Sequence, residues 1–541
     1  MILLQYSAVK LSGERFMHRA THTIAAPDKR VIEDLLDPAA FRHPVTWTKL
    51  IETHISWVIL TDDYAYKIKK PLDLDFLDFS DLERRKFYCD EEIRLNKPSA
   101  PDIYLDVVPI IEQDGRLCFD GDGEPVEYAV RMRRFDQKLR LDAQLAEGLL
   151  TVGDMKELGQ VIAAQHEAAA PVDARRREHQ LKITKDFIWD NFTWLDGYVD
   201  SECFAFLTAW TAQELGAVSA LLGERFDAGF VRECHGDLHL ANLVRLPGGI
   251  TTFDCIEFNA DLRNSDVVCD TAFLVMDLVA RERHDLASHL LNRYLECSGD
   301  YDGVALLDLY FVYRCLVRAK VAAISSQECT DPAERETHLA EAQRYCDMAR
   351  RQANKRQPVL VVMHGLSGSG KTWIAEKLMA ALPAIRIRSD VERKRLSGLP
   401  EHADSGSGVA AGIYTAQADE NVYAHLCLRA QRILCSDHSV ILDAAFLRGA
   451  ERARALAIGD ECGCATSLLQ VQAPVELLRK RILERASGRQ DASEASLAVL
   501  EHQIDNVEPI GENDAGRTII CDNIGDVDIA AIVDKIRAAR T

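Results

Sequence analysis

Residues 234–243 read CHGDLHLANL, a short stretch that carries two histidines, an aspartate and an asparagine. The spacing from His235 through Asp237 to Asn242 is H-x-D-x-x-x-x-N, which is the spacing of a phosphoryl-transfer loop. In such a loop the aspartate receives or orients the proton of the acceptor hydroxyl, and the asparagine holds Mg²⁺. The alternative is a zinc site that uses His235, Asp237 and His239. It lacks a nearby H-x-x-H or C-x-x-C pair that would complete the ligand set.

A loop of this kind needs further groups elsewhere in the chain. Downstream, the run Ile250–Asp254 is a short β-like segment that ends in an aspartate. Upstream, Lys67 and Lys69 alternate onto one face of another β-like run, and Glu92 lies in a helical stretch at about 80–97. Each residue alone has an ordinary structural explanation, such as a strand lysine that reaches water. The presence of five elements in the expected order along the chain indicates a phosphotransferase: Lys67, Glu92, Asp237, Asn242 and Asp254.

Residues from about 45 to 325 resemble the aminoglycoside phosphotransferase and choline kinase family. Gly236 stands between the histidine and the aspartate, as in the members that act on small molecules, whereas protein kinases usually have arginine there. The roles that the resemblance implies are the catalytic base for Asp237, metal ligation for Asn242 and Asp254, and phosphate positioning for Lys67 with Glu92.

Two details qualify this resemblance. Lys69 is the alternative to Lys67, and Asp270 is expected to brace the loop rather than to react. The run before the lysine strand, residues 50–57, contains no glycine, so the loop that should cover the phosphates departs from the family. This departure favours a first domain that senses a nucleotide or captures a substrate without catalysis.

Residues 359–372 form the second candidate site, because an apolar run leads directly into G-x-x-x-x-G-K-T. Glycines allow a tight loop whose backbone N–H groups face a phosphate, the lysine reaches the outer phosphates and assists catalysis, and the threonine can bind Mg²⁺. The helix expected at 372–382 directs its positive end at the same anion. The residues expected to bind ATP are Gly365, Ser367, Gly368, Ser369, Gly370, Lys371 and Thr372.

Two carboxylates and an arginine-rich helix are expected to complete this P-loop site. Asp390 follows the second apolar run and should hold or deprotonate the acceptor hydroxyl, unless it only caps the next helix. Asp443 ends the third run, where it is placed to hold Mg²⁺ through water. Arg481, Arg485 and Arg489 recur every four residues. They therefore share a helix face, which either neutralises the transferring phosphoryl group from a lid or is merely solvated.

Residues 357–541 resemble the P-loop small-molecule kinases, near gluconate kinase and the zeta-toxin group. The stretches that carry the likeness are GLSGSGKT, RSDVERKRL, ILDAAF and HQIDNVEP. The resemblance implies transfer of a phosphoryl group from ATP to a hydroxyl of a small metabolite. The pairing of the two halves resembles bacterial two-domain proteins that join a phosphotransferase to an ATP-binding domain.

The order of predicted elements gives the fold class. Short β-like runs and one helix occupy 29–135, long helical periodicities occupy 136–350, and a polar, basic stretch follows. From 358 onward apolar β-runs at 359–363, 384–388, 439–443, 467–471 and 517–521 alternate with helices, which predicts a parallel sheet covered on both faces. We predict an α+β bilobal kinase-like domain at 29–350, with an N-lobe at 29–135 and a helical C-lobe at 136–350. An α/β P-loop domain follows at 357–541.

Composition limits the partners. The net charge of −21 disfavours nucleic acid and anionic membranes, so we expect neither as a partner. The 15 cysteines are scattered, which is typical of a reducing compartment, and we expect a cytoplasmic protein. The leading hypothesis is an enzyme with two modules, each of which uses ATP and Mg²⁺ to phosphorylate a small-molecule hydroxyl. The alternative is a regulatory or substrate-capturing pseudokinase that controls a zeta-toxin-like P-loop kinase.

Overall fold

The structure is a computed structural model that describes residues 29–74, 77–408, 411–486 and 493–539. The strands within these ranges are β1 (Lys49–Glu52), β2 (Ser56–Leu60), β3 (Tyr64–Lys69), β4 (Asp73–Leu74), β5 (Leu77–Asp78), β6 (Tyr104–Gln113), β7 (Arg116–Phe119), β8 (Pro125–Arg133), β9 (Val231–Glu233), β10 (Leu243–Leu246), β11 (Gly249–Thr252), β12 (Asn264–Asp266), β13 (Val359–His364), β14 (Ala384–Arg388), β15 (Ser439–Asp443), β16 (Ala465–Gln472) and β17 (Thr518–Asp522).

The helices within the same ranges are α1 (Lys29–Leu35), α2 (Leu82–Asn96), α3 (Leu141–Ala146), α4 (Val152–Ala168), α5 (Arg177–Leu195), α6 (Ser201–Ala217), α7 (Ser219–Asp227), α8 (Ala260–Arg263), α9 (Val267–Ala280), α10 (His284–Ser298), α11 (Leu307–Glu328), α12 (Pro332–Ala353), α13 (Lys371–Ala381), α14 (Ser389–Leu396), α15 (Ala416–Leu434), α16 (Gly449–Glu461), α17 (Val475–Ala486), α18 (Leu497–Asn506), α19 (Glu512–Ala515) and α20 (Ile529–Ala538). None of these described helices is both long and apolar enough to cross a lipid bilayer.

The chain forms two compact units. The first comprises the described residues up to 157, then 164–281 and 307–353, and the second comprises 158–163, 282–306 and the described residues from 354 onward. The segment 282–306 contains α10 and lies in the sequence that we expected to form the first domain. It packs instead with the residues of the P-loop domain.

The N-lobe of the first unit is a six-stranded antiparallel sheet in the order β1-β2-β3-β8-β6-β7. Alternation along β3 points Tyr66 and Ile68 into one apolar core and turns Lys67 and Lys69 to the opposite face. Helix α2, capped by Asp81, packs on β6 and β8. The helix therefore brings its own acidic residues to the face that carries the lysines.

The C-lobe is helical and surrounds a small β-rich centre. Strands β9 and β12 pair antiparallel, and β10 and β11 form a hairpin, with the loop 234–242 between β9 and β10. Helix α9 is capped by Asp266 and is buried along nearly its whole length. Such a helix is apolar all round because it forms the centre of the lobe. Its one early acidic residue, Asp270, is therefore a buried charge with a specific partner.

The second unit contains a parallel sheet in the order β14-β15-β13-β16-β17. Its strands begin and end within a few residues of the predicted apolar runs. The core lies between β13 and the helices α13 and α20, where Val361, Met363, Ile374 and Leu378 are buried. The prediction of a kinase-like domain followed by an α/β P-loop domain is confirmed.

Two predicted helices differ in detail from the observed ones. The stretch 201–222 is two helices rather than one, because the chain leaves the helical path at Val218 between α6 and α7. The stretch 302–324 begins as a 3₁₀ turn at Tyr301–Leu306 and becomes α-helical only at Leu307. Glycine at 303 favours the change, because it is a weak α-helix former.

Candidate functional site

The site of the first unit is centred on a buried cluster of opposite charges. The Nζ atom of Lys67 lies 2.8 Å from Glu92 of α2 and 2.9 Å from Asp254. Burial alone would lower the pKa of Lys67, but the carboxylates of Asp254 and Glu92 raise it well above its ordinary value. Lys69 donates to the second oxygen of Glu92, at 2.9 Å, and to Glu257. Both predicted lysines therefore share one glutamate, and only Lys67 reaches the predicted metal ligand.

The β10–β11 hairpin places Asp254 beside Asn242. The amide of Phe253 donates to the main-chain oxygen of Asn242 at 3.0 Å, and the amide of Asp254 donates to the hydroxyl of Tyr104 at 3.0 Å. Asp254 adopts φ +63°, a left-handed conformation that costs energy for a residue with a side chain. The carboxylate therefore lies at a strained turn, one residue after the backbone bond to Asn242. Carboxylate and amide side chains both offer the hard oxygen ligands that suit Mg²⁺.

The loop around Asp237 is fixed from behind by α9. The two oxygens of Asp270 accept the amides of His235, at 2.7 Å, and Gly236, at 3.0 Å, as the bracing role required. Gly236 adopts φ +82°, and a Cβ atom there would lie 3.2 Å from the Cα atom of Arg263. Glycine is therefore needed at this position on both conformational and steric grounds.

The carboxylate of Asp237 is held by its neighbours in the loop. The Nδ2 atom of Asn242 donates to its Oδ2 at 3.2 Å and to its main-chain oxygen at 2.9 Å. The ring of His239 lies 3.4 Å from Oδ2. Burial would raise the pKa of Asp237, but His239 lowers it below its ordinary value. The group is therefore ionised at neutral pH, as a proton acceptor must be.

Backbone contacts in this loop engage both ring nitrogens of His235, which disfavours the zinc alternative. The ring of His235 is 2.9 Å from the main-chain oxygen of Phe253, and the ring of His239 accepts the amide of Ala241 at 3.2 Å. Among the described residues, potential metal ligands come together at His166, Cys234 and Asp270 instead, with ligand atoms within 4.8 Å of one another. The carboxylate of Asp270 already accepts the backbone amides of His235 and Gly236, so these three residues form a structural brace for the loop.

Three glycines of the P-loop in the second unit are each sterically required. All have positive φ angles, of +146° at Gly365, +82° at Gly368 and +90° at Gly370. A Cβ atom at the first would lie 2.3 Å from the main-chain oxygen of Val471, and one at the second would lie 2.8 Å from that of Leu478. The strand–loop–helix path therefore depends on residues without side chains at these positions.

Lys371 lies inside this loop, where its Nζ atom donates to the main-chain oxygen of Leu366 at 2.9 Å. Burial lowers the pKa of Lys371 to about 8, and the nearby carboxylates of Asp443 and Asp390 only partly oppose this shift. A buried ammonium with a carbonyl partner is less well compensated than one with a carboxylate partner. An incoming phosphate would supply the missing negative charge.

Thr372 and Asp443 form the predicted metal site of the second unit. The hydroxyl of Thr372 donates to Oδ1 of Asp443 at 3.3 Å. The other oxygen of Asp443 is buried and has no hydrogen-bond partner among the described residues. Burial raises the pKa of Asp443, and the strongest opposing influence is the guanidinium of Arg386. An unpartnered carboxylate oxygen beside a hydroxyl fits the oxygen ligands of Mg²⁺.

A cavity of about 880 Å³ joins these groups to Asp390. Its wall also contains Arg393, Tyr414 and Glu494 on the side away from the P-loop. Asp390 is the second residue of α14, whose N-terminal cap position is Arg388. The capping explanation for Asp390 therefore does not apply, and its side chain faces the cavity.

The arginines that were predicted to share one face of α17 make different contacts. Arg481 donates to the main-chain oxygens of Gly368, Ser369 and Asn523, at 3.4, 3.3 and 2.9 Å, and so supports the P-loop from outside. Arg485 lines the cavity and donates to the main-chain oxygen of Ala495 at 3.2 Å. Arg489 lies outside the described residues.

Three functional residues escaped the sequence reasoning. Glu257 completes the charge cluster around Lys69, and no sequence pattern connects it with a lysine 188 positions away. Gln503 accepts the amide of Ser367 through its side chain at 2.8 Å, within the HQIDNVEP stretch whose role was not assigned. Arg386 of β14 opposes the burial that raises the pKa of Asp443, the predicted metal ligand, and no sequence pattern singled it out.

Comparisons with known proteins find family matches for both parts of the chain. Residues 144–307 match the family model described as phosphotransferase enzyme family, and residues 360–510 match the model described as AAA domain. Uncharacterized proteins of Mycobacterium tuberculosis and Mycobacterium bovis are 29% identical to this chain over 483 residues, which is 86% of this chain and 94% of each relative.

Solved structures are similar to each part. A gluconokinase from Sinorhizobium meliloti 1021 is 20% identical, covers 34% of this chain and 93% of its own, and has a TM-score of 0.24. A choline kinase from Cryptosporidium parvum Iowa II is 11% identical, covers 56% of this chain and 90% of its own, and has a TM-score of 0.35. On the family matches, the chain carries a kinase-like domain of the phosphotransferase enzyme family followed by a P-loop kinase domain, and these domains support a phosphotransferase.

Proposed function

We propose that this chain is an ATP-dependent phosphotransferase with two modules, each of which transfers the γ-phosphoryl group to a hydroxyl of a small molecule. The observation that carries the proposal is the single cavity lined by Lys371, Thr372, Asp443 and Asp390. A phosphate-binding lysine, a metal-binding pair and a candidate base in one cavity are the parts that phosphoryl transfer requires.

In the second unit the P-loop amides and the ammonium of Lys371 bind and orient the phosphates. Thr372 and Asp443 would hold Mg²⁺, which neutralises charge on the phosphate oxygens when it is bound. Asp390 receives the proton of the acceptor hydroxyl, and Arg485 stabilises negative charge from the opposite wall. Expulsion of water from the cavity strengthens each of these interactions.

In the first unit Asp237 orients the acceptor hydroxyl and takes its proton. Asn242 and Asp254 would hold Mg²⁺ with their oxygen atoms, and Lys67, aligned by Glu92, binds the phosphates. The charge cluster that aligns the lysine supports this assignment, because the lysine–glutamate pair must be in place for transfer. The acceptors are small molecules rather than nucleic acid, since the net charge is −21.

One observation favours a second candidate, in which the first unit is a pseudokinase that regulates the P-loop kinase. Strands β1 and β2 are joined through residues 53–55, which contain no glycine, and the amide of Thr53 donates to the main-chain oxygen of Ser56 at 2.9 Å. This tight hairpin offers fewer flexible amides to a nucleotide than a glycine-rich loop does.

The test is a metabolite screen with the purified full chain, ATP and Mg²⁺, with transferred phosphate detected by mass. We expect products that disappear with Lys371→Ala and other products that disappear with Asp237→Asn. Products that depend on Lys371 alone would favour the regulatory candidate. No ATP-dependent product, together with no binding of ATP to either variant or to the wild type, would refute the proposed function.

A further inference from the structure

Helix α10 contributes side chains to the P-loop unit although it lies some 70 residues before the P-loop in the sequence and within the region, 144–307, that matches the phosphotransferase enzyme family. Strand β14 is an edge strand of the parallel sheet, with β15 on one side only. The open side of β14 is covered by Asn292 of α10.

The side chain of Asn292 pairs with β14 as a neighbouring strand would. Its Nδ2 atom donates to the main-chain oxygen of Ala384 at 3.0 Å, and its Oδ1 atom accepts the amide of Arg386 at 2.7 Å. These two backbone groups would otherwise be exposed at the sheet edge. A side-chain amide that makes both hydrogen bonds fixes the position of β14, as a peptide group of a neighbouring strand would.

One helical turn later, Glu296 is buried against the same strand. Its carboxylate lies 2.5 Å from the guanidinium of Arg386, and the two residues are 3% and 5% exposed. Burial would raise the pKa of Glu296, but Arg386 lowers it below its ordinary value, so the pair is ionic. An ion pair at this depth is costly to break because it leaves one charge without a partner.

Arg386 connects this pair to the metal site. Its guanidinium also reaches the main-chain oxygen of Thr372 at 3.5 Å, and its charge opposes the effect of burial on the pKa of Asp443. Asp443 is aligned with Arg388, two residues further along β14. Side chains two apart on a strand lie on the same face, so Arg386 and Asp443 share one face of the sheet.

We propose that Asn292 and Glu296 are positioning residues of the P-loop site, which hold Arg386 against Thr372. They keep it away from the Asp443 oxygen that has no hydrogen-bond partner in the part of the chain that the structure describes. Without Glu296 the guanidinium pairs with that oxygen and competes with Mg²⁺. The P-loop site is therefore completed by the segment 282–306, which ends more than fifty residues before β13 begins. This inference rests on the proposed function, because it assumes that Thr372 and Asp443 bind the metal.

The experiment measures Mn²⁺ binding to the full chain by electron paramagnetic resonance, with a saturating non-hydrolysable ATP analogue. Lys371→Ala identifies which Mn²⁺ site belongs to the second unit. We expect Glu296→Gln to weaken that site about tenfold, the effect of one lost charge-assisted interaction. We expect the double change Glu296→Gln with Arg386→Gln to restore it to within about threefold of wild type, because the competing cation is gone.

Asp302→Asn is the matched control. Asp302 lies in the same 282–306 segment and pairs with Arg429 and Arg432 of α15, away from β14. We expect this change to lower thermal stability without altering Mn²⁺ affinity. Equal Mn²⁺ affinity in wild type and folded Glu296→Gln, or equal losses in Glu296→Gln and Asp302→Asn, would overturn the inference.

If Glu296→Gln does not fold, the double variant provides the test. It removes both members of the ion pair, so neither charge of the pair is left buried alone. Near wild-type Mn²⁺ affinity in the double variant supports the role of Arg386 as the held cation, and loss of the site in a folded double variant overturns it. A wild-type chain without any Lys371-dependent Mn²⁺ site would refute the proposed function itself. A wild-type site that is untouched by changes at Glu296 would refute only the positioning role.

Discussion

Each of the two candidate sites contains a buried lysine that is expected to bind phosphate, but the two lysines have different kinds of partner. In the first unit Lys67 already has two carboxylate partners, Glu92 and Asp254. In the second unit Lys371 has a carbonyl partner, and one buried oxygen of Asp443 has no hydrogen-bond partner among the described residues. The lysine of the first site therefore already has opposite charges beside it, whereas the lysine of the second site would gain them from a bound phosphate.

The difference appears in the two lysine pKa values. Carboxylates raise the pKa of Lys67 well above its ordinary value, while burial lowers the pKa of Lys371 to about 8. A nucleotide that enters the first site must share a lysine with existing partners, and one that enters the second site relieves an uncompensated charge. We therefore expect the second unit to bind nucleotide more tightly, and the following tests can break or sharpen that comparison.

The largest effect is expected from Lys371→Ala. Loss of the ammonium should lower phosphoryl transfer by the second unit about 10³-fold, the upper range for one preorganised electrostatic contact. Lys377→Ala is the control, since Lys377 is an exposed lysine of the same helix. Steady-state rates of the full chain measure both variants. An unimpaired rate in Lys371→Ala would remove the P-loop assignment.

Asp237→Asn should lower transfer by the first unit about 10²-fold, because an amide cannot accept the proton of the acceptor hydroxyl. Binding of a nucleotide analogue should persist, since Lys67 and Asn242 are unchanged. Asp261→Asn is a surface control in the same lobe, where Asp261 pairs with His179. Metal analysis accompanies the assay, and stoichiometric zinc that Asp237→Asn releases would favour the zinc alternative instead.

The pH dependence should separate the two lysines. Lys371 is protonated below its pKa of about 8, and bound phosphate keeps it protonated at higher pH. Nucleotide affinity of the second unit should therefore be constant below pH 7 and fall about tenfold between pH 7 and pH 9. The first unit should show no such fall, because the pKa of Lys67 is raised.

Calorimetry measures how the affinity for an ATP analogue depends on pH in two variants. Asp254→Ala retains the second site, and Lys371→Ala retains the first. A fall of the same size in both variants would mean that another group causes it. A flat profile for the second site would show that Lys371 is charged throughout this range.

The smallest expected effect is on nucleotide affinity at one site when the other site is altered, because we expect the two sites to be uncoupled. Equilibrium dialysis should find two nucleotide sites per chain, one lost in Lys371→Ala and the other in Asp254→Ala. The affinity of the remaining site should change by less than about twofold in each variant, because each site is built from residues of its own unit. A coupling of about 1–3 kcal/mol would favour the regulatory role of the first unit. A wild-type stoichiometry of one, unchanged by Asp254→Ala, would make the first unit a pseudokinase.

Local spacing explains which parts of the sites could be predicted. The P-loop is a strand, a glycine-rich turn and a helix within fourteen consecutive residues, 359–372, so sequence order alone sets its geometry. The loop from His235 to Asn242 is similarly compact. The five parallel strands were readable because strands buried on both faces are continuously apolar. The break at Val218 was not readable, because the apolar pattern continues across it.

The remaining contacts join residues that no spacing rule connects. Glu257 meets Lys69 across 188 positions, and Gln503 meets Ser367 across 136. Their types are common on protein surfaces, so no pattern distinguishes them from solvated polar residues. Burial gives these residues their roles, and burial depends on how distant segments pack.

The amino-acid sequence by itself determined the two phosphate-handling motifs, the parallel sheet and the order of the two kinase-like domains, because each is encoded by neighbouring residues. Only the tertiary structure decided that Lys67 rather than Lys69 reaches Asp254, that the ammonium of Lys371 donates to a main-chain oxygen, and that α10 packs with the P-loop unit. These outcomes depend on which buried charges come within a few ångströms of one another, and a linear pattern does not contain that distance.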